Sequence, residues 1–186
     1  MAADRTILVL GDSLSAAYGL RPEQGWVALL GKRLRDQGYG YELVNASISG
    51  ETTSGGVQRL PRALTLHKPG IVVIELGAND GLRGLQVETT RGNLQKMVAL
   101  AKSSGARVLL VGMRMPPNYG PRYTTDFMQM YRDIANQEGL RLVPFLLESV
   151  ALDPTRMQDD GLHPNASAEP YVLDTLWPQL EPMLKK

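Results

Sequence analysis

Ile7-Leu8-Val9-Leu10-Gly11-Asp12-Ser13-Leu14-Ser15 is the stretch on which the fold turns. Four aliphatic residues in a row, followed by Gly and small polar residues, read as a buried strand running into a turn. In an open α/β sheet, chemistry collects outside the carboxyl ends of the strands. The Ser13 hydroxyl therefore stands where a nucleophile has to be.

Working outward, Trp26, Leu30 and Leu34 stand four apart and predict a helix that opens at Gly25-Trp26 and ends near Gly38. Tyr41-Glu42-Leu43-Val44 reads as a second strand, followed by a small polar run from Asn45 to Gly56. Val57 to Leu66 is expected to be helical, with Pro61 delaying its start or kinking it. Ile71-Val72-Val73-Ile74 is a third strand, opened by Pro69-Gly70. Leu94, Met97, Val98 and Ala101 follow amphipathic helical spacing up to Gly105. Val108-Leu109-Leu110-Val111 is a fourth strand, and Phe127, Met130, Tyr131 and Ile134 mark a helix ending at Gly139. Leu142 to Leu146 reads as a shorter edge strand, because Pro144 is poorly tolerated in the middle of a sheet. A last helix is expected from about Ser167, with Pro170 early in it and Pro178 at a kink.

Strand and helix alternate five times, and the strands are continuous apolar runs rather than alternating ones. That pattern argues a parallel sheet covered on both faces, a three-layer α/β/α arrangement. No linker, repeat or low-complexity stretch divides the chain, so residues 1–186 are expected to form one domain. A chain of this length buries roughly 70% of the surface exposed when unfolded.

Hydrophobic residues make up 43% and charged residues 21%, ordinary for a globular protein. With a formal net charge of +1 and scattered Lys and Arg, nothing marks the chain as a nucleic-acid binder. No apolar run approaches the ~18 residues of a membrane span. The absence of cysteine excludes a disulfide framework, a cysteine-based zinc site and a thiol nucleophile, and leaves the redox compartment open. Met1-Ala2-Ala3-Asp4-Arg5 is too short for a signal peptide before the first strand. The chain thus reads as cytoplasmic or as a mature form with a start Met restored.

Four segments lie past strand ends and would share one rim. They are Gly11-Asp12-Ser13, the run Asn45-Ala46-Ser47-Ile48-Ser49-Gly50, the run Gly77-Ala78-Asn79-Asp80-Gly81, and Asp159-Asp160-Gly161-Leu162-His163-Pro164 after the fifth strand. A serine hydroxyl needs a base to take its proton. Of the two imidazoles, His67 precedes the third strand and belongs to the opposite rim, which leaves His163. Asp160, three residues before it, is placed to accept from the imidazole Nδ1–H. Asp159 reads as a solvated or capping acid, although spacing alone leaves it open as the partner. Asp12 reads as a turn-former. Donors for an oxyanion are the Ser13 N–H if that residue opens a helix, the Gly50 N–H and the Asn79 amide. No metal or cofactor is called for, since there is no HExxH pattern and no His-rich cluster. The loop holding Asn118 and Tyr119 follows the fourth strand on the active rim. With Met115 it is expected to contact the acyl part of a substrate, whereas Met113 reads as core filler.

These residues resemble the SGNH, or GDSL, hydrolase superfamily, whose four signature residues match Ser13, Gly50, Asn79 and His163. Five ordered blocks, including Gly11-Asp12-Ser13-Leu14-Ser15-Ala16, Glu75-Leu76-Gly77-Ala78-Asn79-Asp80-Gly81 and Met157-Gln158-Asp159-Asp160-Gly161-Leu162-His163-Pro164-Asn165, are similar to the bacterial multifunctional acyl-CoA thioesterase, protease and lysophospholipase subfamily. The resemblance implies a flavodoxin-like sheet of five parallel strands in order 2-1-3-4-5. It implies Ser13 as nucleophile, His163 as base, Asp160 as its partner, and Ser13, Gly50 and Asn79 as oxyanion donors. It further implies hydrolysis of aryl esters, acyl-CoA thioesters and lysophospholipids without a cofactor, and export to the periplasm.

The competing reading is a non-enzymatic flavodoxin-like module that binds a ligand or cofactor, with a phosphate cradled at the turn after the first strand. Such a module would need neither His163 nor Asn79 on the rim. Gly50-Glu51-Thr52-Thr53-Ser54-Gly55-Gly56 lacks the Lys of a P-loop, and the Ser13 context lacks the second Gly of a nucleophile elbow. A small ester or thioester with an acyl chain is the expected partner, and nothing demands more than a monomer.

Overall fold

The computed structural model describes residues 5–186, so the reading of the segment before Arg5 lies outside the described residues. Strands β1 (Thr6–Gly11), β2 (Glu42–Asn45), β3 (Ile71–Glu75), β4 (Arg107–Val111) and β5 (Arg141–Val143) form one parallel sheet in the order β2-β1-β3-β4-β5. Every residue of β1 and β3 is buried, which is why both read as unbroken apolar runs: each strand is covered on both faces. Register places Ile7 opposite Ile71 and Gly11 opposite Glu75. The two central strands thus end level, and the chain leaves them side by side on one rim.

Six helices cover the sheet among the described residues: α1 (Trp26–Asp36), α2 (Thr53–His67), α3 (Ala78–Leu82), α4 (Val87–Ser103), α5 (Pro121–Glu138) and α6 (Glu169–Leu180). Helix α1 packs against α6, while α4 packs between α2 and α5. Trp26, Leu30 and Leu34, spaced for one helical face, are all buried in that packing.

Three elements depart from the sequence reading. Helix α2 begins at Thr53, ahead of the expected Val57, and passes through Pro61. The Thr52 hydroxyl accepts the Gly55 N–H at 3.3 Å and caps it, and burial of Gly56, Leu60 and Leu64 holds the rest against the cost of an interior Pro. The stretch after β3 is a one-turn helix, α3, rather than a loop, because Asp80 in its first turn accepts from the Thr53 N–H at 2.9 Å and ties it to α2. Strand β5 stops at Val143, directly before Pro144, and the chain turns there instead of reaching Leu146. Helix α6 starts at Glu169 and continues through Pro178 to Leu180.

Candidate active site

Ser13 lies two residues beyond β1, half-buried, in a tight turn. The turn is not a regular helix. The Ala16 N–H donates to the Asp12 carbonyl at 2.9 Å and the Tyr18 N–H to the Ser13 carbonyl at 3.1 Å, and between them Ala17 takes a left-handed φ of 58°. A non-glycine residue in that region is strained, by roughly 1–2 kcal/mol. Asp12 is the turn-former expected of it, since its Oδ1 accepts the Leu14 N–H at 3.1 Å.

His163 enters from the far end of the chain, and its Nε2 lies 2.8 Å from the Ser13 hydroxyl. Its Nδ1 lies 2.6 Å from Asp160 Oδ2. A carboxylate at Nδ1 keeps the proton there, so Nε2 is left to accept from the serine. The other oxygen, Asp160 Oδ1, accepts the main-chain N–H of Leu162 at 2.9 Å and of His163 at 3.0 Å. Partial burial opposes its charge, but those two amides and the imidazole outweigh it and hold the Asp160 carboxyl at about 2. Both Asp159 and Asp160 are exposed, and it is Asp160 whose carboxylate meets the His163 ring. His67 ends α2 just before β3, on the opposite rim.

The three expected oxyanion donors reach the same rim. Among the described residues, neither the Ser13 N–H nor the Gly50 N–H donates to a protein acceptor. Gly50 is exposed at a φ of 80°, a turn conformation that favours glycine. The Asn79 amide, in the first turn of α3, donates to the Glu51 carbonyl at 2.9 Å and, over 3.3 Å, to Asp12 Oδ2. Both of its hydrogens are thus directed at protein oxygens, the Asp12 contact being the longer.

Ser13, Asn79 and His163 line one end of a cleft of about 440 Å³. Its remaining wall is mostly apolar, with Leu82, Met113, Met115, Phe145, Leu147 and Leu162 among the contributors. Met115 lines this wall, and Met113 serves both core and wall. Asn118 and Tyr119 do not line this cleft. Asn118 is exposed, and the Tyr119 hydroxyl donates to the Leu82 carbonyl at 2.7 Å, so Tyr119 braces a wall residue from behind. At the mouth, Arg114 pairs with Glu148 at 3.0 Å and lies over the Phe145 ring.

Behind Ser13 sits a second acid. Glu75 is fully buried, and its Oε2 accepts the Ser15 hydroxyl at 2.7 Å and the Asp12 N–H at 3.3 Å. Burial pushes Glu75 well above the carboxylate range and raises the neighbouring Asp12 as well.

Two supports of the site left no trace in local pattern. Gln158 Nε2 donates to the Tyr18 carbonyl at 2.8 Å and to the Pro164 carbonyl at 2.9 Å, stapling the His163 loop to the Ser13 turn. The Tyr18 ring also lies 4.6 Å from the His163 ring, closing one side of the imidazole. A Gln within a polar loop and an aromatic near a turn carry no periodicity by which to find them.

The chain matches the model of the GDSL-like lipase/acylhydrolase family over residues 9–169. It is 54% identical to "Esterase TesA" of Pseudomonas aeruginosa over 183 residues, covering 98% of this chain and 91% of that one. It is 43% identical to "Thioesterase 1/protease 1/lysophospholipase L1" of Escherichia coli, covering 98% and 86%. A crystal structure of TesA superposes with a TM-score of 0.94 at 54% identity, over 96% of this chain and 99% of that one.

Proposed function

This chain belongs to the GDSL-like lipase/acylhydrolase family and is an ester-bond hydrolase, and from that premise we propose that Ser13 carries the acyl group, with His163 as base, Asp160 as its orienter and Ser13 N–H, Gly50 N–H and Asn79 as oxyanion donors. One observation carries this assignment: the unbroken relay from Asp160 through His163 to the Ser13 hydroxyl, at 2.6 and 2.8 Å. His163 takes the Ser13 proton as the oxygen attacks the acyl carbonyl. The negative charge moves to the carbonyl oxygen, which the three donors receive. The alcohol or thiol leaves with the proton from His163, and water repeats the attack on the acyl-enzyme. General-base assistance of this kind supplies ~10²–10⁴-fold, and each oxyanion donor ~2.7–4 kcal/mol.

The apolar cleft beside Ser13 favours substrates with an acyl chain, and we assign aryl esters, acyl-CoA thioesters and lysophospholipids as the class. We further propose a monomeric single-domain enzyme, since no linker divides the chain, and, from the resemblance of the site blocks, one that works in the periplasm; no helix among the described residues is long and apolar enough to cross a membrane. Replacing Ser13 by Ala tests the centre: hydrolysis of a p-nitrophenyl ester is lost while circular dichroism is unchanged. A fluorophosphonate adds its mass to the Ser13 peptide of the unaltered enzyme and of no other. Full activity in Ser13→Ala removes the assignment.

A further inference from the structure

Residues 46–51 join β2 to Thr52, the cap of α2, and carry the Gly50 N–H. The first half of this loop lies along β1: the Ala46 N–H donates to the Val9 carbonyl at 2.9 Å and the Ile48 N–H to the Gly11 carbonyl at 3.0 Å. After Ile48 the chain leaves the sheet in a turn whose main-chain closure is the Glu51 N–H to the Ile48 carbonyl at 3.1 Å, and the Gly50 carbonyl accepts from the exposed Arg83 Nη2 at 3.2 Å. The main chain alone therefore does not fix where Gly50 stands relative to Ser13.

Arg59 does fix it. From the second turn of α2 its Nη1 donates to the Ala46 carbonyl at 2.9 Å and its Nε to Glu51 Oε2 at 2.5 Å. One planar, permanently charged group thus grips both ends of the loop. The pair is largely shielded, with 28% and 13% of the Arg59 and Glu51 side chains exposed, so solvent competes poorly for it. Glu51 Oε1 accepts the Thr52 N–H at 3.1 Å, and its carboxylate lies against Gly55, where any side chain would collide with it. The Glu51 carbonyl accepts from the Asn79 amide. Holding Glu51 therefore bears on two donors, the adjacent Gly50 N–H and Asn79.

We infer that Arg59 is a positioning residue of the oxyanion hole: by clamping the Ala46 carbonyl to the Glu51 carboxylate, it sets the turn that presents Gly50 and the carbonyl that orients Asn79. The inference rests on the reading of Ser13, Gly50 and Asn79 as oxyanion donors. Displacement of such donors by about 1 Å costs ~10²-fold in rate, whereas ground-state binding in the apolar cleft is left alone.

The test compares Arg59→Gln, Arg59→Lys, Glu51→Gln and Asn79→Ala with the unaltered enzyme on a p-nitrophenyl ester, each well below its own Tm. Backbone NMR of the Gly50 amide is recorded before and after phosphonylation of Ser13. Arg59→Gln is expected to lower kcat about 10–100-fold with KM within about twofold. Arg59→Lys restores little, because one ammonium does not span both acceptors. The downfield shift of the Gly50 amide proton on phosphonylation shrinks in Arg59→Gln. A folded Arg59→Gln with unchanged kcat, beside an Asn79→Ala that loses ~10²-fold or more, overturns the clamp and leaves the oxyanion hole standing. Unchanged kcat in Asn79→Ala together with a Gly50 amide that does not respond to phosphonylation overturns the oxyanion reading, and the clamp with it. Should Arg59→Gln not fold, Glu51→Gln decides: a kcat loss at constant KM supports the clamp, and unchanged kcat overturns it.

Discussion

Asp160 holds His163 at two points, the ring through Oδ2 at 2.6 Å and the main-chain N–H through Oδ1 at 3.0 Å. The same carboxylate therefore shapes the loop and sets the tautomer. In Asp160→Asn the amide oxygen keeps the main-chain bonds, while its NH₂ faces Nδ1 and makes that nitrogen the acceptor. The proton moves to Nε2, which then has no lone pair for Ser13. We expect kcat to fall ~10³–10⁴-fold with folding intact. Stopped-flow acylation measures it, and a loss below tenfold would mean that Asp160 only shapes the loop.

Asn79 shares its amide between the Glu51 carbonyl and Asp12. Asn79→Ala is expected to cost ~10²–10³-fold in kcat and little in KM, because the bond matters once negative charge appears on the substrate oxygen. A rise in KM with kcat unchanged would instead make Asn79 a ground-state contact.

Tyr119 reaches the cleft only through the Leu82 carbonyl. Tyr119→Phe removes that bond and keeps the ring, at a cost of about 1 kcal/mol in stability. Loosening Leu82 should change the ratio of kcat/KM between long and short acyl esters by a few-fold. An unaltered ratio in a chain-length panel would exclude Tyr119 from substrate selection.

Glu169 is 2% exposed, and its carboxylate accepts the Trp26 N–H at 2.7 Å where α1 begins. Burial, only partly offset by that bond, pushes its carboxyl to about 7 from an ordinary 4.5. Between those values the native state binds more protons than the unfolded chain, so stability is full at the acid end and falls as pH rises through the window. A difference of this size is on the order of 3 kcal/mol. Glu169→Gln keeps the acceptor and removes the charge. It should flatten denaturation midpoints from about pH 5 to about pH 8 and exceed the unaltered protein at the upper end. Identical pH dependence in the two proteins would clear Glu169 of this role.

Much of this was legible in order along the chain, because the physics involved is local. Ile7 to Leu10 could only be a strand buried on both faces, and the level ends of β1 and β3 then placed Ser13 and Asn79 together. Elimination left His163 as the candidate base, while spacing alone kept Asp159 beside Asp160 as its partner. What escaped was held by bonds between distant segments. Thr53 starts a helix early because Asp80, well along the chain, receives its N–H. Gln158 acts on a carbonyl 140 residues away, and Arg59 on a loop belonging to another element. Nor does spacing give a side chain's direction, and Tyr119 proved to face Leu82 rather than the cleft.

Ser13 and His163 are separated by 150 residues of chain, although their side chains touch. At typical elongation rates the ribosome delivers the second roughly 8–30 s after the first. With His163 as the proposed base, the nascent chain carries its hydroxyl through that interval with nothing to activate it. Any fragment that ends before the last loop is equally silent. On the proposed assignment competence waits for the closing segment, and a half-made copy poses no threat to the esters of the cell that makes it.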